Sequence, residues 1–200
     1  MGWSFIDKKG IDIINNHNRM ICVFSHTSYY DFFMMVLYYL SHQELNHIRV
    51  LINPWYFNIL PLYWVGGIPA VKGGGVTKIV DELLKEEKSH FLISPKGTIL
   101  QGEWKSGYYH IARQIKCPLM AIGVDYELKK ITLCKPILSI YDEYHVQELL
   151  YKDLSSIVPL HPEQENMTIR KHNSKHVSVI SGLRLGIFTV AIIIGLYQLI

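Results

Sequence analysis

Five short apolar runs restrict most strongly how this chain can fold. They are RMICVF (19–24), HIRVLIN (47–53), HFLISP (90–95), LMAIGVDY (119–126) and KKITLCKPIL (129–138). Each is brief, rich in β-branched or aromatic residues and bounded by turn formers, the pattern of a buried strand. Helical patterns lie between them. Residues from Tyr29 to about Leu40 suit a buried helix. In VTKIVDELLKEEK (76–88), Val76, Ile79, Val80, Leu83 and Leu84 share one face and the charges the other. SGYYHIARQIKCP (106–118) reads as a helix ended before Pro118. YDEYHVQELLYKDLSSI (141–157) reads as the last helix of the domain. PWYFNILPLYW reads as a helix interrupted by Pro61, packed in the core or else lining an acyl channel or touching lipid, and VGGIPAVKGGG (65–75) as a glycine-rich loop. Only a charged turn separates the last two strands, which predicts a hairpin. This order predicts an α/β domain: a mostly parallel mixed sheet flanked by helices, with an antiparallel part.

With 200 residues and 49% hydrophobic composition, the chain can bury one substantial core. The net charge of +3 is small, and the basic residues Arg170, Lys171, Lys175 and Arg184 cluster late. No nucleic-acid fingerprint occurs, so no nucleic-acid partner is expected. Cys22, Cys117 and Cys134 form no CxxC pair, which favours a reducing compartment over a disulfide framework. No HExxH helix pattern occurs and no metal site is predicted. His110 reads as a packed helical residue and His145 as a surface one. The N-terminal MGWSFIDKKG lacks a secretory apolar region, and Ile6 stands where a myristoylation signal needs Ser or Thr.

Residues 185–200, LGIFTVAIIIGLYQLI, carry no charge. As a helix they would span about 24 Å, and extension back to Ile180 reaches bilayer thickness if Arg184 snorkels. The basic residues in front match the positive-inside rule. The expected organisation is a domain at 1–158, a polar basic linker at 159–179 and a single-pass C-terminal transmembrane helix at 180–200. The domain would then face the cytosol.

The stretch FSHTSYYDFFMM (24–35) holds the chemistry. In it, Ser28-x-x-Asp31 has the form of a helix start, with Ser28 as N-cap and Asp31 bonding back to the backbone. The same residues allow a second role. His26 and Asp31 are five positions apart and cannot share a helical face, where they would differ by about 140°. If His26 sits in the turn before the helix, its ring can fold back onto Asp31. A carboxylate on one ring nitrogen fixes the tautomer and leaves the other nitrogen as a base. No GxSxG elbow supplies a nucleophile, so the substrate's own hydroxyl would have to serve.

HTSYYDF, then GGIPAVK, then SPKGT, then CPLMAIGVDY, in this order over residues 17 to 157, resembles the glycerolipid acyltransferase superfamily, whose best-known members acylate lysophosphatidic acid. KSGYYHIA (105–112) resembles a bacterial branch of it. The resemblance implies that His26 deprotonates an acceptor hydroxyl, that Asp31 orients His26, and that the hydroxyl attacks an acyl thioester. The donor would be acyl-CoA or an acyl carrier protein, with no permanently bound cofactor. The acceptor would be a lysophospholipid or glycerol phosphate, and the bilayer a partner. Lys72, Lys96, Gly97, Thr98 and Lys105 would bind substrate.

Two departures bear on the acceptor. The family's third block usually reads Pro-Glu-Gly-Thr-Arg, but here Lys96 and Ile99 replace its Glu and Arg. Lys72 stands for the arginine of the second block. Lys96 is therefore expected to select substrate. Two other readings stay open: an acyltransferase for a non-phosphorylated acceptor, and a catalytically inactive, membrane-anchored lipid-binding protein.

Overall fold

A computed structural model describes residues 2–4, 8–42, 47–58, 62–70, 75–100 and 102–165. The elements in order are α1 (Lys8–Asn15), β1 (Arg19–Val23), α2 (Tyr29–Ser41), β2 (Ile48–Ile52), β3 (Gly67–Pro69), α3 (Gly75–Leu84), β4 (Ser89–Ile93), α4 (Gly107–Ile115), β5 (Leu119–Asp125), β6 (Lys130–Leu133) and α5 (Glu143–Leu154). Six strands form one sheet in the order β3-β2-β4-β1-β5-β6. Every pair is parallel except β5–β6, which is antiparallel. The α/β architecture with a mostly parallel mixed sheet is thus present as the sequence predicts.

Alternation along the strands divides the core. Ile21 and Val23 of β1, with Phe91 and Ile93 of β4, pack with Val80 and Leu83 of α3, Tyr108 and Ile111 of α4 and Leu150 of α5. Met20 and Cys22, with Leu92, pack on the other side with Ile14 of α1 and Met35, Tyr38 and Tyr39 of α2. Successive side chains of a strand point to opposite faces, so a parallel strand covered by helices on both sides must be apolar throughout. The burial of all seven residues of β5 meets that requirement. The charged end of β5 is satisfied locally: Asp125 Oδ1 accepts the Leu128 N–H at 2.8 Å and shapes the hairpin turn.

Several elements differ from the sequence expectations. PWYFNILPLYW contributes two 3-10 turns, Pro54–Asn58 and Leu62–Val65, where a helix was expected. Prolines 54 and 61 each lack an N–H, and Asn53 Oδ1 accepts the Trp55 N–H at 3.0 Å, so the chain turns before a long helix can form. Its rings do not enter the core either: Trp55, Tyr63 and Trp64 are exposed, Trp64 to 85%. The expected glycine-rich loop contains β3, which extends the sheet beside β2. Gly66 makes that possible. Its φ is +75°, and a Cβ there would run into the Ile48 carbonyl. Helix α3 stops at Leu84, which is exposed, and the following turn is tied to β2 by Arg49 and Glu86 at 3.0 Å. Helix α1 was not foreseen; it is short and holds a glycine. His110 is exposed rather than packed.

The sequence places a linker from residue 159, yet 159–165 lie against the body. The Tyr126 N–H donates to the Val158 carbonyl at 2.9 Å, and residues 162–164 form a 3-10 turn. Among the described residues no helix is long and apolar enough to cross a membrane, and the run at 180–200 lies outside them.

Candidate active site

The loops that follow β1, β4 and β5 meet at the carboxyl ends of three adjacent strands, where open α/β sheets gather their ligand groups. The loop after β1 brings His26. That after β4 brings Lys96, Gly97 and Thr98, and the end of β5 leads into Tyr126.

Asp31 caps helix α2 and also faces His26. Ser28 is the N-cap of α2, its side chain accepts the Tyr30 N–H at 3.2 Å, and the capping box with Asp31 is complete. Asp31 Oδ2 accepts the N–H groups of Thr27 at 2.9 Å and Ser28 at 2.8 Å. The cap therefore fixes the carboxylate in the first turn of the helix. That turn also places His26 Nδ1 3.5 Å from the same Oδ2. This is ion-pair distance, longer than a good hydrogen bond. The histidine side chain is 20% exposed and the aspartate 3%. Phe24 and Tyr29 set the ring's position by edge contacts, with centroids at 5.6 and 6.5 Å.

Tyr126 completes the carboxylate's shell. Its hydroxyl donates to Asp31 Oδ1 at 2.8 Å. Burial raises the Tyr126 pKa, and the Asp31 charge adds to that, so the phenol keeps its proton and remains a donor. No local pattern announces this contact: the two residues are 95 positions apart. Tyr126 is the final residue of the CPLMAIGVDY block, and that position was the only available signal.

The remaining expected site residues fall in different surroundings. Gly97 is exposed with φ +67°, and the Lys105 ammonium lies 3.4 Å from where a Cβ would stand. Lys105 is exposed, and its backbone N–H donates to the Pro95 carbonyl at 3.0 Å. Thr98 Oγ1 accepts the Leu100 N–H at 3.2 Å and shapes the loop. Lys72 lies outside the described residues. Lys96 is 4% exposed, and its Nζ donates to the Gln164 carbonyl at 2.8 Å. Burial holds its ammonium below the usual lysine range, with Glu165 and Asp31 pulling the other way. The sequence reading pointed Lys96 at a substrate; the fold turns it inward. Gln164 and Glu165 were missed as site residues because their segment reads as linker.

The model of the acyltransferase family, the glycerolipid acyltransferases, matches residues 5–125, more than half of the chain. The chain belongs to this family. No curated protein matches it. The acyltransferase match begins before α1 and ends at Asp125, so it contains the His26 loop, Asp31 and the Lys96 loop. It stops one residue short of Tyr126.

A cavity of about 320 Å³, lined by Arg49, Tyr63, Trp64, Gly66, Gly67, Ile68 and Glu82, takes no residue from the His26 or Lys96 loops. Among the described residues no group of His, Cys, Asp and Glu is arranged to hold a metal ion.

Proposed function

We propose that the protein transfers a fatty acyl group from an acyl thioester, of coenzyme A or an acyl carrier protein, to the hydroxyl of a lysophospholipid or glycerol phosphate. The observation that supports this reading is the His26–Asp31 pair, whose carboxylate is held by two backbone N–H groups and the Tyr126 hydroxyl. Nδ1 faces the carboxylate, so Nε2 is the nitrogen left for the acceptor. His26 takes the hydroxyl proton as the oxygen attacks the thioester carbon. The oxyanion collapses, the carbon–sulfur bond breaks, and the leaving thiolate takes the proton from His26. Burial pushes the Cys22 and Cys117 thiols up to about 12, so neither is a thiolate nucleophile at neutral pH. That supports attack by the acceptor's own hydroxyl.

On this reading a phosphate would meet Lys105 beside the exposed Gly97 backbone, in a loop shaped by Thr98, and Lys72, which lies outside the described residues, is proposed as a second cation. The purified full-length protein should therefore acylate lysophosphatidic acid or glycerol 3-phosphate at least about 10-fold better than monoacylglycerol. High salt should narrow that ratio. Mass spectrometry of the products measures it. A reversed ratio would favour the non-phosphorylated acceptor, and no product with any acceptor would favour the inactive lipid-binding reading.

The membrane is part of the proposal. Residues 180–200 would anchor the chain, the linker would begin after 165, and the catalytic domain would lie on the cytosolic face. The exposed rings support this arrangement. Tyr30, Phe33, Leu37 and Leu40 of α2, with Trp55, are exposed, and the Tyr29–Tyr56 contact joins their segments beside His26. Uncharged surfaces rich in Trp and Tyr suit the membrane interface. With Trp55 kept as the sole tryptophan, brominated phospholipid in vesicles should quench its fluorescence. Quenching by aqueous acrylamide alone would remove this face from the bilayer.

A further inference from the structure

Gln164 joins the end of the described chain to the site. Its carbonyl accepts Lys96 Nζ at 2.8 Å. Its side-chain amide, oriented so that the nitrogen meets acceptors, donates to the carbonyls of Thr27 at 2.8 Å and Ile99 at 2.7 Å. Thr27 adjoins His26, and its own N–H goes to Asp31. One residue thus ties the loop after β1 to the loop after β4. The bond from Tyr126 to Val158 fixes the other end of the same segment, and Tyr126 holds Asp31. The next residue, Glu165, lines with Ser25 and Asp31 a cavity of about 10 Å³, room for about one water.

A lysine buried this far needs a counter-charge. The ammonium of Lys96 is taken by the Gln164 carbonyl, the charges of Glu165 and Asp31 oppose the effect of its burial, and those two carboxylates line that cavity. Burial raises the Glu165 carboxyl, with the Ser25 hydroxyl and the Lys96 charge opposing it. We propose that residues 158–165 belong to the catalytic unit, with Gln164 a positioning residue that locks the His26 loop, and Lys96 and Glu165 opposed charges behind Asp31 that set how readily His26 holds a proton. This rests on the reading of His26 as the general base.

The signs follow from Coulomb's law. Lys96 attracts the carboxylate that faces His26 and weakens its hold on an imidazolium. Glu165 acts in the opposite sense. Tyr29 of α2 meets the histidine ring, Tyr126 after β5 donates to Asp31, and the Lys105 ammonium stands over Gly97.

The test uses full-length protein and two readouts: the pH profile of kcat/KM and the NMR titration of the His26 ring. Lys96→Met should move the acid limb and the ring titration to higher pH by about half a unit. Glu165→Gln should move both to lower pH, and the double variant should return them toward wild type. Lys96→Arg keeps the charge and should leave the limb in place. Gln164→Ala should lower kcat with little change in KM. An unmoved limb and ring titration in a folded Lys96→Met protein would overturn the charge arrangement. A faster Gln164→Ala enzyme would overturn the positioning role and make the segment a gate. The ring titration needs no turnover, so it judges the charges even if His26→Ala were to keep full activity and remove the general-base reading.

Discussion

His26→Ala should lose acyl transfer by about 10²–10⁴-fold while the protein stays folded. The chemical half of this expectation rests on Nε2, the ring nitrogen turned away from Asp31. The structural half rests on what the ring does for the fold. It is 20% exposed, and its contacts with Phe24 and Tyr29 are edge contacts at a surface turn. Removing it orphans no buried donor, because the Thr27 and Ser28 N–H groups go to Asp31. Turnover of purified variant and wild type, beside their thermal unfolding curves, measures both halves. Near-normal turnover would reduce His26 to a turn residue.

Asp31→Ala should differ in kind, losing activity and stability together. The carboxylate accepts three hydrogen bonds in a buried position, and alanine accepts none. Two backbone N–H groups and a phenol would lose their partner, and a buried unsatisfied group costs about 1–3 kcal/mol. Water reaching the opened turn offsets part of this, so the expected loss is about 3 kcal/mol. For a chain of this size that lowers Tm by roughly 6–12 °C. Asp31→Asn keeps an acceptor oxygen for the helix start but lacks the charge that faces His26. It should recover much of the Tm and little of the turnover. If Asp31→Asn proved as active as wild type, the carboxylate would be a cap and nothing more.

The sequence displays the parts of this molecule that depend on local periodicity. The runs around Ile21, Phe91 and Met120 are apolar on both faces because helices cover both faces of a parallel sheet, so their class and order are readable. His26 and Asp31 are readable because a helix start has its own local grammar and both residues lie within it. Contacts made across the chain leave no such trace. The donation from Tyr126 to Asp31 spans 95 positions, and that from Lys96 to Gln164 spans 68. A polar stretch such as HPEQE looks like a linker whether water or a neighbouring loop satisfies it. Lys96 misled for the same reason. A lysine in a glycine loop reads as a ligand group, and only the fold supplies Glu165 and the Gln164 carbonyl to take it inside. The exposed rings of Trp55 and Trp64 misled in the other direction, since hydrophobicity alone does not distinguish a core from an exposed apolar surface.

On the proposed reading Asp31 both starts helix α2 and orients His26, and that changes which residue is informative about descent. A lineage that abandoned acyl transfer would still need the aspartate, because helix α2 starts on it and Tyr126 rests against it. Selection for a folded protein alone would therefore preserve half of the dyad indefinitely. The histidine has no such protection and would be free to drift once turnover stopped mattering. An intact aspartate is then a fossil that living and dead enzymes share, and the histidine is the residue that dates the loss.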